Sequence, residues 1–157
     1  MIEEGKKADI KNWKGELLVV DDEKEVAETL QDILTDYRIT PVYSAIDAIN
    51  VLKERTYDVI ILDMLMKPMT GADLIPILQE IHPNVSVIVH TGYPGLFEEK
   101  EIMEKLKGFN YFTYLVKGVN PQVLIEKVDE AIGYHNNYKE NIKSELNEIF
   151  KNDDVCK

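Results

Sequence analysis

The chain has 157 residues, 45% of them apolar, which suits one globular domain with a single core. Its net charge of −11 opposes the phosphate neutralisation on which nucleic-acid binding rests, so direct DNA binding is not expected. No apolar run approaches the roughly 18 residues of a membrane span, residues 1–7 lack the apolar centre of a signal peptide, and the lone Cys156 can form no internal disulfide; a soluble, cytoplasmic protein is expected.

Strand-like and helix-like segments alternate along the chain. Residues 15–21 read as a strand whose apolar run, Leu17-Leu18-Val19-Val20, ends in Asp21-Asp22. Residues 23–37 follow as a helix, with Val26, Leu30, Ile33 and Leu34 at helical spacing and Asp22 as its expected N-cap. Residues 39–43 form a short strand, and Pro41 suits an edge position because it donates no ladder hydrogen bond. Ser44 is placed to cap a second helix whose buried side is expected to include Ile46, Ile49 and Leu52.

The third strand, residues 57–63, is apolar until it closes on Asp63. Gly71 opens a third helix, carrying Leu74, Ile75 and Leu78, that ends near His82-Pro83. Residues 85–91 form a fourth strand ending His90-Thr91-Gly92, and residues 96–107 a fourth helix. Residues 111–116 form a fifth strand followed by Lys117, and Pro121 starts a fifth helix as its first residue. Gly133 is the expected stop of that helix; beyond it Tyr138, Ile142, Leu146, Ile149 and Phe150 recur at helical steps, as in an amphipathic helix.

This (βα)₅ pattern calls for an α/β doubly wound parallel five-stranded sheet with helices on both faces. Right-handed crossovers and the flavodoxin-like order 2-1-3-4-5 put the first and third strands side by side at the switch point. Asp21, Asp22 and Asp63 then meet at the carboxyl ends of those strands. Such acids repel one another unless a cation or a proton joins them, so a divalent-metal site with a reactive aspartate is expected. Thr91 and Lys117 arrive at the same edge, and a hydroxyl and an ammonium can bind phosphoryl oxygens while a shielded carboxylate attacks phosphorus.

Each residue has a plainer reading alone: Asp21 a turn residue, Asp22 a helix cap, Thr91 a β-branched strand end, Lys117 a solvated lysine. His90 reads as a hydrogen-bonded packing residue and His82 as a helix C-terminal residue. His135 has no ligand neighbours at zinc spacing. A phosphatase of the haloacid-dehalogenase type would need a second aspartate where Leu65 stands. A flavin or nucleotide binder would need a phosphate loop where Asp21-Asp22-Glu23 stands.

From about Glu16 to Ile132 the chain resembles the receiver domain of two-component response regulators. The resemblance rests on Asp21-Asp22, Asp63 with Gly71 beyond it, Thr91-Gly92, and Tyr114 with Lys117, in order and each at a strand end. It implies that Asp63 is the phosphoacceptor, taking a phosphoryl group from the phosphohistidine of a sensor histidine kinase or phosphotransfer protein. It implies Mg²⁺ held by Asp21, Asp22, Asp63 and the backbone carbonyl of Leu65, an oxygen-only set such as Mg²⁺ prefers. Lys117 would pair with the carboxylate and then the phosphoryl group, Thr91 and Tyr114 would be the switch pair, and Gly92 would leave room for the phosphoryl group. The resemblance implies a signalling receiver, catalysing only its own phosphorylation and dephosphorylation. Residues 1–14 are then a tail, 15–133 the receiver, and 134–157 a helical extension or linker. Output would pass by protein contact or a further effector domain, with a possible homodimer through the fourth helix, fifth strand and fifth helix or through the C-terminal helix. A degenerate receiver used only for docking is the alternative.

The chain departs from the family at three places. Lys67 stands where proline is usual, with Pro68 one later; Gly118 replaces the usual cis proline after the lysine, so a trans Lys117–Gly118 bond is expected. The stretch from Gly108 to Phe112 is bulkier than usual. Leu65 and Tyr93 lie two residues beyond Asp63 and Thr91, where neither can act as a strong base, so slow self-dephosphorylation is expected.

Overall fold

In the computed structural model, residues 11–92 and 99–153 are described. Five strands alternate with five helices: β1 (Glu16–Val20), α1 (Lys24–Ile33), β2 (Arg38–Val42), α2 (Ala45–Glu54), β3 (Val59–Leu62), α3 (Gly71–Ile81), β4 (Ser86–Thr91), α4 (Glu99–Leu106), β5 (Phe112–Val116) and α5 (Pro121–Asp153). The sheet is parallel throughout, in the order β2-β1-β3-β4-β5. β2 lies at an edge, as its Pro41 required.

Strand alternation divides the core in two. Leu18, Val20, Ile60, Leu62, Val87 and Val89 face a layer that includes α2, α3 and α4. Leu17, Val19, Val59, Ile61 and Ile88 face α1 and α5 through Leu30, Leu124 and Val128. β3 and β4 are buried at every position because both faces are covered. Removing a buried Leu side chain such as Leu17 would cost about 2–5 kcal/mol.

Local signals set the helix starts unevenly. Ser44 caps α2, its Oγ accepting from the Asp47 N–H at 3.0 Å. Thr70 caps α3 in a reciprocal box with Asp73. Asp22 does not cap α1: Glu23 holds the N-cap position without a side-chain bond, because the Asp21 carboxylate takes the Glu23 N–H and turns the chain there. Ile46 is half exposed rather than buried, since Ala45, Ala48 and Leu52 form the inner face of α2. Trp13 is also exposed, with the Lys11 ammonium 4.1 Å from its ring centre; Ile10 lies outside the described residues.

Gly133 does not end α5, which continues to Asp153 and is 33 residues, about 50 Å, in all. A solvent-exposed glycine weakens a helix by only about 1 kcal/mol relative to Ala, less than the anchors around it supply. Ser86 Oγ donates to the Ala131 carbonyl at 3.1 Å, and Tyr111 Oη donates to Glu130 at 2.8 Å. Tyr37 Oη donates to Asp129. Past the glycine, His135 contacts the Asn84 carbonyl through Nδ1 (3.1 Å) and Asp58 through Nε2 (3.2 Å), and Lys139 reaches the same Asp58 oxygen at 3.2 Å. The other Asp58 oxygen accepts the Glu16 N–H at 2.8 Å.

Candidate functional site: a carboxylate and lysine cluster at the strand ends

Three strand ends place the groups by continuing the sheet's hydrogen bonding for one residue. Asp21 N–H donates to Val42 O (3.1 Å), Asp63 N–H to Val20 O (2.9 Å) and Lys117 N–H to Thr91 O (2.7 Å). The side chains therefore leave a rigid edge, which is what positions a reactive cluster well. Asp21 and Asp63 are each 2% exposed and Thr91 1%, while Asp22 and Glu23 are exposed.

Lys117 joins the acids. Its Nζ lies 2.8 Å from Asp21 Oδ2, 3.3 Å from Asp63 Oδ2 and 3.5 Å from Glu23 Oε1. The Asp63 Oδ1 atom accepts the Leu65 N–H at 3.2 Å. Burial, and then the negative charge of Asp21, pushes the Asp63 carboxyl up to about 6, against the opposing pull of Lys117 and the Leu65 N–H. Burial also raises Asp21 despite its bond to Lys117. Burial works against the Lys117 charge, but the two carboxylates outweigh it and hold the ammonium above its ordinary value. The cluster is therefore short of positive charge.

Gly71 sits against the backbone of Asp63. A side-chain carbon there would collide with the Asp63 carbonyl and the Met64 side chain, and the Gly71 N–H bonds Met64 O at 3.1 Å. Only glycine lets α3 begin this close to Asp63. After β5 the Lys117–Gly118 bond is trans, and Gly118 takes a positive φ of 86°. The one cis bond among the described residues is Lys67–Pro68.

The expected residues stand at one edge, but their grouping differs in detail. The carboxylates that lie within mutual ligating reach are Asp21, Asp22 and Glu23. Sequence reasoning passed over Glu23, although the run of three acids was the available signal. An all-carboxylate donor set fits a hard cation such as Mg²⁺. Tyr114 is half-buried and its Oη has no hydrogen-bond partner among the described residues. His90 is buried on the α1/α5 side rather than in the cluster; its Nδ1 has no partner among the described residues, and burial pushes the ring down to about 4. Leu65 is 37% exposed beside Asp63, and Tyr93 lies outside the described residues.

The family model described as response regulator receiver domain matches residues 17–129, and the chain belongs to that family. It is thus a receiver domain of two-component signalling. Among curated relatives, a hydrogenase transcriptional regulatory protein, HoxA, of Bradyrhizobium diazoefficiens is 29% identical over 81% of this chain, but only 26% of that protein is covered. The transcriptional regulatory protein ZraR of Salmonella typhimurium is 25% identical over 77% of this chain. The chain spans about a quarter of the length of these relatives. Among solved structures, the receiver domain of the Francisella response regulator 1452 aligns with TM-score 0.65 and 26% identity, covering 76% of this chain and 97% of that one.

Proposed function

We propose that Asp63 accepts a phosphoryl group from the phosphohistidine of a sensor histidine kinase or phosphotransfer protein. An Asp63 oxygen attacks phosphorus in line, the P–N bond breaks, and an acyl phosphate forms while the imidazole leaves with the bonding electron pair. The supporting observation is the single geometry in which Lys117 bridges Asp63 and Asp21 at a rigid sheet edge, with Asp63 held up near 6. A carboxylate so crowded gains from any added positive charge.

Asp21, Asp22 and Asp63, with the Leu65 carbonyl, would hold Mg²⁺, and Glu23 stands close enough to support it. The ion would supply the charge that shields Asp63 from an anionic donor. Lys117 then moves from carboxylate to phosphoryl oxygen, and Thr91 supplies a hydroxyl to another. Tyr114 follows Thr91 inward and shifts the population of the surface formed by α4, β5 and α5. The protein is a signalling domain that acts chemically only on its own aspartate, and output passes by protein contact or through a further domain. A cytoplasmic location suits such partners, and among the described residues no helix is long and apolar enough to cross a membrane.

The test is incubation with Mg²⁺ and a small phosphodonor, followed by mass spectrometry. The native protein should gain one acid-labile phosphoryl group and Asp63→Asn none. An unmodified native protein would favour the docking-only receiver instead.

A further inference from the structure

His135 is a buried titratable side chain that the phosphoryl chemistry does not use. It stands on α5 just past Gly133 and is 7% exposed. Both of its ring nitrogens meet oxygens that can only accept: Nδ1 lies 3.1 Å from the Asn84 carbonyl and Nε2 lies 3.2 Å from Asp58 Oδ1. A neutral imidazole has one N–H and one lone pair, so either tautomer would turn a lone pair on one of these oxygens. Only the imidazolium donates to both. Its carboxylate partner stays charged, because the groups around Asp58 hold that carboxyl well below the usual range. Lys139 reaches the same Asp58 oxygen at 3.2 Å, but its side chain is 61% exposed, so solvent screens it.

We propose that His135 is a proton-operated latch: as an imidazolium it docks the part of α5 beyond Gly133 on Asp58 and Asn84, and on losing its proton it lets that part go. The break falls at Gly133 for two reasons. Before it, α5 is held by Ser86, Tyr111 and Tyr37, none of which depends on a histidine. At Gly133 itself the helix is exposed and a side-chain carbon would touch nothing within 4 Å, so its glycine backbone is the weakest point. The proton also has a way in. A cavity of about 250 Å³ is lined by His82, Pro83, Asn84, His135 and Lys139, and Pro83, Asn84 and Lys139 are exposed at its rim. Docking is therefore strongest on the acid side of neutrality and weakens as pH rises. The other two histidines do not supply this response. His82 meets one acceptor, the Leu52 carbonyl at 2.8 Å, which a neutral tautomer satisfies. His90 is pushed down to about 4 and is neutral in this window. The latch does not depend on Asp63 reacting.

Amide hydrogen exchange of the full chain at about pH 6 and about pH 8, corrected for the intrinsic chemical rate, tests this. Protection of residues 135–145 should fall about tenfold between the two, while residues 121–131 of the same helix keep theirs. His135→Gln and Asp58→Asn should each remove the difference, and His82→Gln should retain it. Gly133→Ala should raise protection several-fold at both pH values and leave their ratio unchanged. Nitrogen NMR of the native ring needs no variant: at about pH 7, where a free imidazole is mostly neutral, both nitrogens of His135 should carry protons. Equal protection at the two pH values, a difference that survives His135→Gln or is lost in His82→Gln, or a ring with one protonated nitrogen overturns the proposal. Asp63→Asn should show the same pH response as the native chain, which keeps this result separate from the phosphotransfer reading.

Discussion

β3 begins beside a half-buried aspartate and ends beside a buried one, and the two are treated in opposite ways. Asp58, just before the strand, accepts from the Glu16 N–H and meets His135 and Lys139. Burial works against its charge, but those partners outweigh it and hold its carboxyl well below the usual range. Asp63, just after the strand, has one backbone N–H and a share of Lys117, and it is pushed up to about 6. One end of the strand is an anchor that is electrostatically satisfied; the other is left in deficit. A deficit maintained inside a well-packed core marks chemistry more reliably than acidity alone.

The largest effect that would sharpen this contrast is at Asp63. A carboxyl raised from 3.8 to about 6 corresponds to about 3 kcal/mol of native-state cost at neutral pH. Asp63→Asn should therefore abolish phosphorylation yet raise the denaturation midpoint in chelator-containing buffer. A lower midpoint would remove the claim that the native fold disfavours a charged Asp63. Adding Mg²⁺ should stabilise the native protein by mass action and Asp63→Asn much less, as followed by thermal melting.

At the other end, Asp58→Asn should destabilise the fold by about 1–3 kcal/mol, because the pair is partly solvent-screened. Hydrogen exchange should rise first in α5 beyond Gly133, with phosphorylation of Asp63 retained. The pH sign follows from the depressed carboxyl. Its contribution is complete above its ordinary value of 3.8 and is lost as pH falls below it. Native and Asp58→Asn curves should therefore converge in acid.

His90 supplies an independent pH mark. Its ring is pushed down to about 4 from 6.5, so its contribution is complete above 6.5 and fades as pH drops towards 4. His90→Leu should flatten denaturation midpoints across that window. The smallest effect is expected at Gly118, whose φ of 86° disfavours a side chain. Gly118→Ala should cost about 1 kcal/mol and slow phosphorylation modestly by shifting Lys117.

Much of this was legible in the residues themselves. The alternation of apolar strand runs with helical segments gave the (βα)₅ pattern and its sheet order, and it put Asp21, Asp63, Thr91 and Lys117 at one edge, because backbone direction alone delivers strand ends there. Other features were not legible. Glu23 joins the carboxylates because Asp21 takes its N–H and bends the chain, a local competition that spacing does not reveal. The passage of α5 through Gly133 was hidden because its support, Asp58 and Asn84, comes from distant parts of the chain. His135, read as having no ligand neighbours, is the hinge of that support.

The sequence by itself determined the fold class and which carboxylates, hydroxyl and lysine stand at the strand ends, since both follow from the order of strands and helices and from chain direction. Only the tertiary structure decided which aspartate is satisfied and which is left in deficit. Charge balance at a buried carboxylate depends on partners within a few ångströms, and those partners are brought together by folding.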